Sequence, residues 1–129
     1  MFKEERSSSA FEWSMLGDIQ LGRPNLGPEM TVSVYRLMQY TLRDQLIQEL
    51  GVAKADLLFY KAGRQAGIQL YQNVIGGVPD MDTLFGELQS TLRDLKIGIF
   101  RVESANMERD SYVVTVAEDL DCSGIPVCS

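Results

Sequence analysis

Glu118, Asp121, Cys122 and Cys128 crowd the end of the chain, and they carry the side chains best able to do chemistry. Thiolates and carboxylates are ligands that zinc takes in a tetrahedral shell. Glu118, Cys122 and Cys128 offer three such groups and Asp121 a fourth, while Gly124 and Pro126 suit a loop that must fold back. The cysteines are separated by five residues, not the two of a zinc knuckle. A redox pair and two unconnected thiols therefore stand beside zinc as alternatives. Nucleophilic attack by either thiol lacks a base, because the chain has 0 histidines. No phosphate-cradling Gly-Lys-Ser/Thr loop and no GxSxG elbow is present. The carboxylate pairs Asp44 and Glu49, and Asp80 and Asp82, fit helix caps or a solvated face. These residues point to binding rather than catalysis.

The chain has 129 residues, enough for one domain that buries about two-thirds of its unfolded surface. A hydrophobic fraction of 45% and a charged fraction of 23% are those of a globular protein. The net charge of −6 repels nucleic acid and anionic membrane surfaces. No apolar run approaches the ~18 residues of a membrane span. The polar start, Met1 to Ser9, has no signal-peptide pattern, which sets the expectation of a cytoplasmic protein. In a reducing compartment a structural disulfide is disfavoured.

These groups are positioned by elements legible in the hydrophobic pattern. Residues 1–12 read as a flexible N-terminal segment and 13–129 as one domain. Trp13 to Leu21 fits a short strand or irregular lead-in, and Gly22 to Pro28 forbids regular structure. A helix is predicted over Glu29 to Leu50, with Val34, Tyr35, Met38, Leu42, Leu46 and Leu50 on one face and Leu37, Tyr40 and Ile47 on another. A helix apolar on two sides is central or covered by a second subunit. Met81, Leu84, Phe85, Leu88, Leu92 and Leu95 mark an amphipathic helix reaching about Lys96. Ile97 to Ser104 and Ser111 to Leu120 then form an antiparallel hairpin. Tyr112, Val114 and Val116 alternate with Val113, Thr115 and Ala117, the pattern of an interior strand. The fold class is α+β: an antiparallel sheet with a C-terminal hairpin, packed against a layer of three or more helices.

The helix predicted from about Asp56 to Ile75 carries a different signal. Leu58, Ala62, Ala66, Leu70 and Val74 run beside Phe59, Gly63, Gly67, Tyr71 and Ile75, so the middle of that face is small. Glycine inside a helix costs about 1 kcal/mol relative to alanine. Two glycines one turn apart fit either the close approach of another helix or room left for a ligand. Arg64, on the same helix, either meets an anionic headgroup or reaches solvent.

Taken in order, Gly22-Arg23-Pro24-Asn25-Leu26-Gly27, then Tyr60-Lys61-Ala62-Gly63-Arg64-Gln65-Ala66-Gly67, a hairpin, and Glu118 followed by Cys122-Ser123-Gly124 resemble the 4-vinyl reductase-type domain. That small α+β ligand-binding module is related to the sensor domains of phenol-responsive bacterial activators and, in fold, to vesicle-tethering TRAPP subunits. The resemblance spans roughly residues 13 to 128 and leaves the family's last, Gly-rich helix without a counterpart. It implies a small apolar or aromatic ligand between helices and sheet, lined here by Phe59, Gly63, Gly67, Tyr71, Leu88 and Val114. It also implies zinc on Glu118, Cys122 and Cys128. A reductase role rests on the family name, since vinyl reduction needs a hydride or electron source and no nicotinamide or flavin motif is present. The expectation is a sensor or carrier domain, with a homodimeric interaction module or an accessory protein of tetrapyrrole vinyl reduction as alternatives.

Overall fold

The computed structural model describes residues 10–106 and 108–125. The chain divides between Thr31 and Val32 into two compact units. In the first, a 3-10 turn over Trp13–Leu16 precedes a single helical turn, α1 (Ile19–Gly22). Asp18 starts α1 by accepting the Leu21 amide at 2.9 Å, the usual work of an N-cap carboxylate. The expected lead-in is thus helical turns rather than a strand. Gly17, at φ +77°, makes the break between the two turns.

The second unit opens with α2 (Val32–Leu50) and α3 (Val52–Leu70), joined by Gly51 alone. Gly51 sits at φ +84°, a conformation that a side chain resists. Its carbonyl accepts the Ala55 amide at 3.1 Å, so α3 begins at once rather than at Asp56 as the sequence suggested. Arg43 and Phe59 lie equally far from Gly51 along the chain, and the guanidinium stands 5.9 Å from the ring centroid. Arg43 also pairs with Asp56 at 2.7 Å, and these contacts fold the two helices back on each other. Ala55 is fully buried.

After Leu70 the helix widens into a π turn over Tyr71–Ile75, closed by Gly76 in the left-handed region. α4 (Met81–Asp94) follows, capped by Asp80, which accepts the Thr83 amide at 2.8 Å. Strands β1 (Ile99–Asn106) and β2 (Ser111–Ala117) form a two-stranded antiparallel sheet. Ile99 pairs with Ala117 and Arg101 with Thr115, and a bulge between Val102 and Ser104 shifts the register beyond them. α4 packs on β1. Phe85 meets Tyr112 edge-on at 5.1 Å and Phe100 at 6.2 Å, an aromatic seam between helix and hairpin. The α+β class and the hairpin against helices are as the sequence indicated. β2 differs, because among the described residues it pairs only with β1, and Val113, Val114 and Val116 are exposed. Among the described residues no helix is long and apolar enough to cross a membrane.

Gly98 admits the hairpin against its own far end. A Cβ there would lie 2.6 Å from Val116 Cγ1 and 3.4 Å from the Ala117 carbonyl. Gly98→Ala is expected to cost about 1–3 kcal/mol through overpacking. Val116→Ala in the same chain should recover part of that loss, measured by urea unfolding.

Candidate functional site

The segment that follows β2 is densely hydrogen-bonded. Glu118 turns it away from the strand at φ +52°, an uncommon conformation for a residue with a side chain. Asp119 then organises the turn from within. Its Oδ1 accepts the amides of Asp121 at 3.0 Å and Cys122 at 2.9 Å, and its Oδ2 accepts the Ser123 hydroxyl at 2.8 Å. The Asp119 amide donates back to Ser123 Oγ at 2.8 Å. A carboxylate taking several N–H and O–H bonds favours its charged form. The Ser123 hydroxyl, the Cys122 and Asp121 amides and the nearby Arg36 charge accordingly hold Asp119 below the ordinary carboxylate pKa.

Helix α2 clasps this turn from outside. Arg36 Nε donates to the Leu120 carbonyl at 2.8 Å, and Nη2 donates to the carbonyls of Asp119 at 3.2 Å and Ser123 at 3.0 Å. Tyr35 donates its hydroxyl to Asp121 Oδ1 at 2.9 Å, and the Tyr40 hydroxyl donates to the Asp121 carbonyl. Burial, the bond to Asp121 and the negative charge of Asp121 push the Tyr35 pKa up to about 12. The arrangement is a lock: a planar fork of donors reads three carbonyls while two phenols fix one aspartate.

This lock determines where the expected metal ligands stand. Glu118 borders a cavity of about 200 Å³ with Arg93, Lys96, Gly98 and Ile99. Cys122 lies inside the clasped turn, its sulfur 3.7 Å from Asp119 Oδ2. Cys122 is disulfide-bonded, the state of the redox pair that the spacing left open beside zinc ligands and unconnected thiols. Cys128 lies outside the described residues. Among the described residues no group of three or more metal-binding side chains converges.

The six residues expected to line a ligand pocket are spread over several elements. Phe59 is half-buried beneath Arg43. Gly63 and Gly67 face open space, with no atom apart from the helix's own backbone within 4 Å of where a Cβ would sit. The Tyr71 hydroxyl accepts the Val78 amide at 3.4 Å, so this ring braces the turn after the π segment. Leu88 is half-buried on α4, and Val114 is exposed on β2. The structure thus brings Gly63 and Gly67 together on α3 with Phe59 one turn before them. α4, with Leu88, packs instead on β1. A cavity of about 250 Å³ lies elsewhere, lined by Gln89, Ser90, Arg93, Ile99, Phe100 and Arg101.

Arg36 is the residue that sequence reading passed over. A lone cation between Tyr35 and Leu37 on an apolar face was the available signal, as was the turn signature of Asp119 and Ser123. No family model, curated protein or solved structure matches the chain in the comparisons made.

Two outcomes follow for the clasp. Arg36→Ala should lower unfolding stability by about 2 kcal/mol, the scale of hydrogen bonds made by a charged donor, while Arg36→Lys should recover only part of it. Tyr35 has a folded pKa above its unfolded value, so its contribution is complete below about pH 10 and is lost as pH rises towards 12. Asp119 acts in the opposite sense: its contribution is complete above the ordinary value of 3.8 and is lost as pH falls below it. Tyr35→Phe should flatten the alkaline limb of a stability–pH curve, and Asp119→Asn the acid limb.

Proposed function

We propose that this chain is a ligand-binding domain of 4-vinyl reductase type, taking a small apolar or aromatic molecule against α3 as a sensor or carrier. The open face at Gly63 and Gly67 carries the reading: apart from the helix's own backbone, nothing lies within 4 Å of where a Cβ would sit on either glycine, so no other described helix covers that face. Glycine lowers helix stability, and no described helix packs on this face in return for that cost. Phe59 borders that face one turn earlier. The order of sequence motifs supports the same reading. Function at the level of chemistry is association, with apolar contact as its driving term.

Substitution separates ligand room from chance. Gly63→Ala and Gly67→Ala should each raise stability by about 0.5–1 kcal/mol through helix propensity, while Gly63→Leu should abolish uptake of a co-purified hydrophobe without loss of helical circular dichroism. Solvent extraction and native mass spectrometry read the uptake. Wild-type protein that yields no small molecule, and binds none after exposure to aromatic hydrocarbons, overturns the proposal.

Zinc on Glu118, Cys122 and Cys128 is a separate proposal, and it requires reduction, since Cys122 is disulfide-bonded here. Metal analysis of protein prepared with a thiol reductant should then give one zinc per chain, and oxidised protein none. A second reading, a homodimeric module, has its own observation. Leu37 is 63% exposed on α2, and Tyr40, on the same face, is 42% exposed. Clustered apolar exposure of this kind marks an interaction surface. Sedimentation that gives a dimer for wild type and a monomer for Leu37→Glu favours it; a strict monomer at all concentrations removes it.

A further inference from the structure

The cavity between α4 and the hairpin runs along a free strand edge. The Phe100 ring packs towards Phe85 of α4, and successive strand residues face opposite sides. Ile99 and Arg101 therefore face away from the side that Phe100 shares with α4. Yet all three line the same cavity with Gln89, Ser90 and Arg93. A space touched by consecutive residues of a strand wraps its backbone edge rather than covering one face. Among the described residues β1 has β2 on one side only, and about half of its amides and carbonyls point to the other. The 8-residue strand spans roughly 27 Å at about 3.4 Å per residue.

Proteins blunt such edges with lysine, proline, bulges or a covering element. Here the bulge falls between Val102 and Ser104, so the stretch from Ile99 to Arg101 keeps regular pairing geometry. No proline or lysine stands in β1. Two cations stand over this stretch instead: Arg93 from α4 and Arg101 from β1. Arg93 occupies the last turn of its helix, where a cation complements the carbonyl end. Arg101 has no such role. Neither guanidinium forms an ion pair among the described residues. Lys96 and Arg93 border the adjoining cavity, where Glu118 is the opposing charge, and Glu103 lies two residues beyond Arg101. In a chain of net charge −6, this edge is a local reversal of sign.

We propose that the free edge of β1 from Ile99 to Arg101 receives an extended acidic segment of a partner protein, which adds as a strand with its carboxylates on Arg93 and Arg101. Main-chain bonds supply affinity in strand addition, and side chains at alternate positions supply selectivity. A second copy is the poorer occupant. Two β1 edges paired about a two-fold axis would crowd Arg93 and Arg101 of both copies along one seam, and facing like charges destabilise a strand pair.

The test uses the full chain and a capped, fluorescently labelled peptide alternating valine and glutamate, with a valine–lysine peptide as control. The glutamate peptide should bind in fluorescence anisotropy at low salt, with amide shift changes confined to Ile99–Arg101 and the last two turns of α4. Arg93→Ala with Arg101→Ala should weaken it at least tenfold, and Arg101→Glu should make the lysine peptide the better ligand. Arg101→Gln, with circular dichroism as the check on folding, repeats the measurement where charge reversal perturbs the hairpin, and should weaken binding about threefold. Equal binding of both peptides, shifts outside β1 and α4, affinity unchanged by every arginine variant, or an edge already occupied in a self-associated form overturns the proposal.

Discussion

One guanidinium ties the two ends of the second unit together. Arg36 and the Leu120 carbonyl it binds are 84 residues apart, and closing a flexible loop of that length costs roughly 4 kcal/mol on the logarithmic scale, before any constant. A single charged hydrogen bond contributes about 1.5–3 kcal/mol and does not offset that alone. Three carbonyls on one planar fork, with two phenols on Asp121, do. The geometry also explains why the turn is built around Asp119. Its carboxylate gathers the amides of Asp121 and Cys122, which leaves the carbonyls of Asp119, Leu120 and Ser123 facing outward as acceptors.

Periodic elements were legible in the sequence, and single-residue events were less so. The stripe from Met81 to Leu95 located α4 because each apolar residue repeats the same contact, and Asp80 marked its start by the chemistry of a cap. Gly51 stands just past the helix predicted to Leu50, where a glycine suits a stop. It was not legible as the whole connection to α3, since its positive φ lets the next helix start immediately. The π turn left no trace, because widening one turn changes backbone hydrogen bonds and no side-chain type. It takes Ile75 out of the row that Phe59, Gly63, Gly67 and Tyr71 define.

The candidate sites divide along the same line. Gly63 and Gly67 were visible because an absent side chain inside a helix costs stability wherever it occurs. The clasp was not, because its acceptors are backbone carbonyls that any residue owns. Only Arg36, Tyr35 and Tyr40 carry its sequence signal, and on an apolar helix two tyrosines read as packing residues. The state of Cys122 is a matter of electrons rather than residue type. Spacing therefore left thiol, metal ligand and disulfide open together.

The surfaces left uncovered connect stability to binding. Fully burying a large apolar side chain contributes about 1.5–3 kcal/mol, and Leu37, Met38 and Leu42 on α2 and Val113 and Val116 on β2 forgo much of it. Their sum is comparable to the whole stability of an ordinary domain, about 5–15 kcal/mol. The Arg43–Asp56 pair between α2 and α3 offers little in compensation, since it is 41% and 56% exposed and exposed pairs contribute about 0–1 kcal/mol. Any molecule that covers α3, α2 or the free edge of β1 therefore supplies stability as it binds, by mass action on the folded state. Occupancy and folding are then one equilibrium, so binding at any of these surfaces is read as a rise in stability.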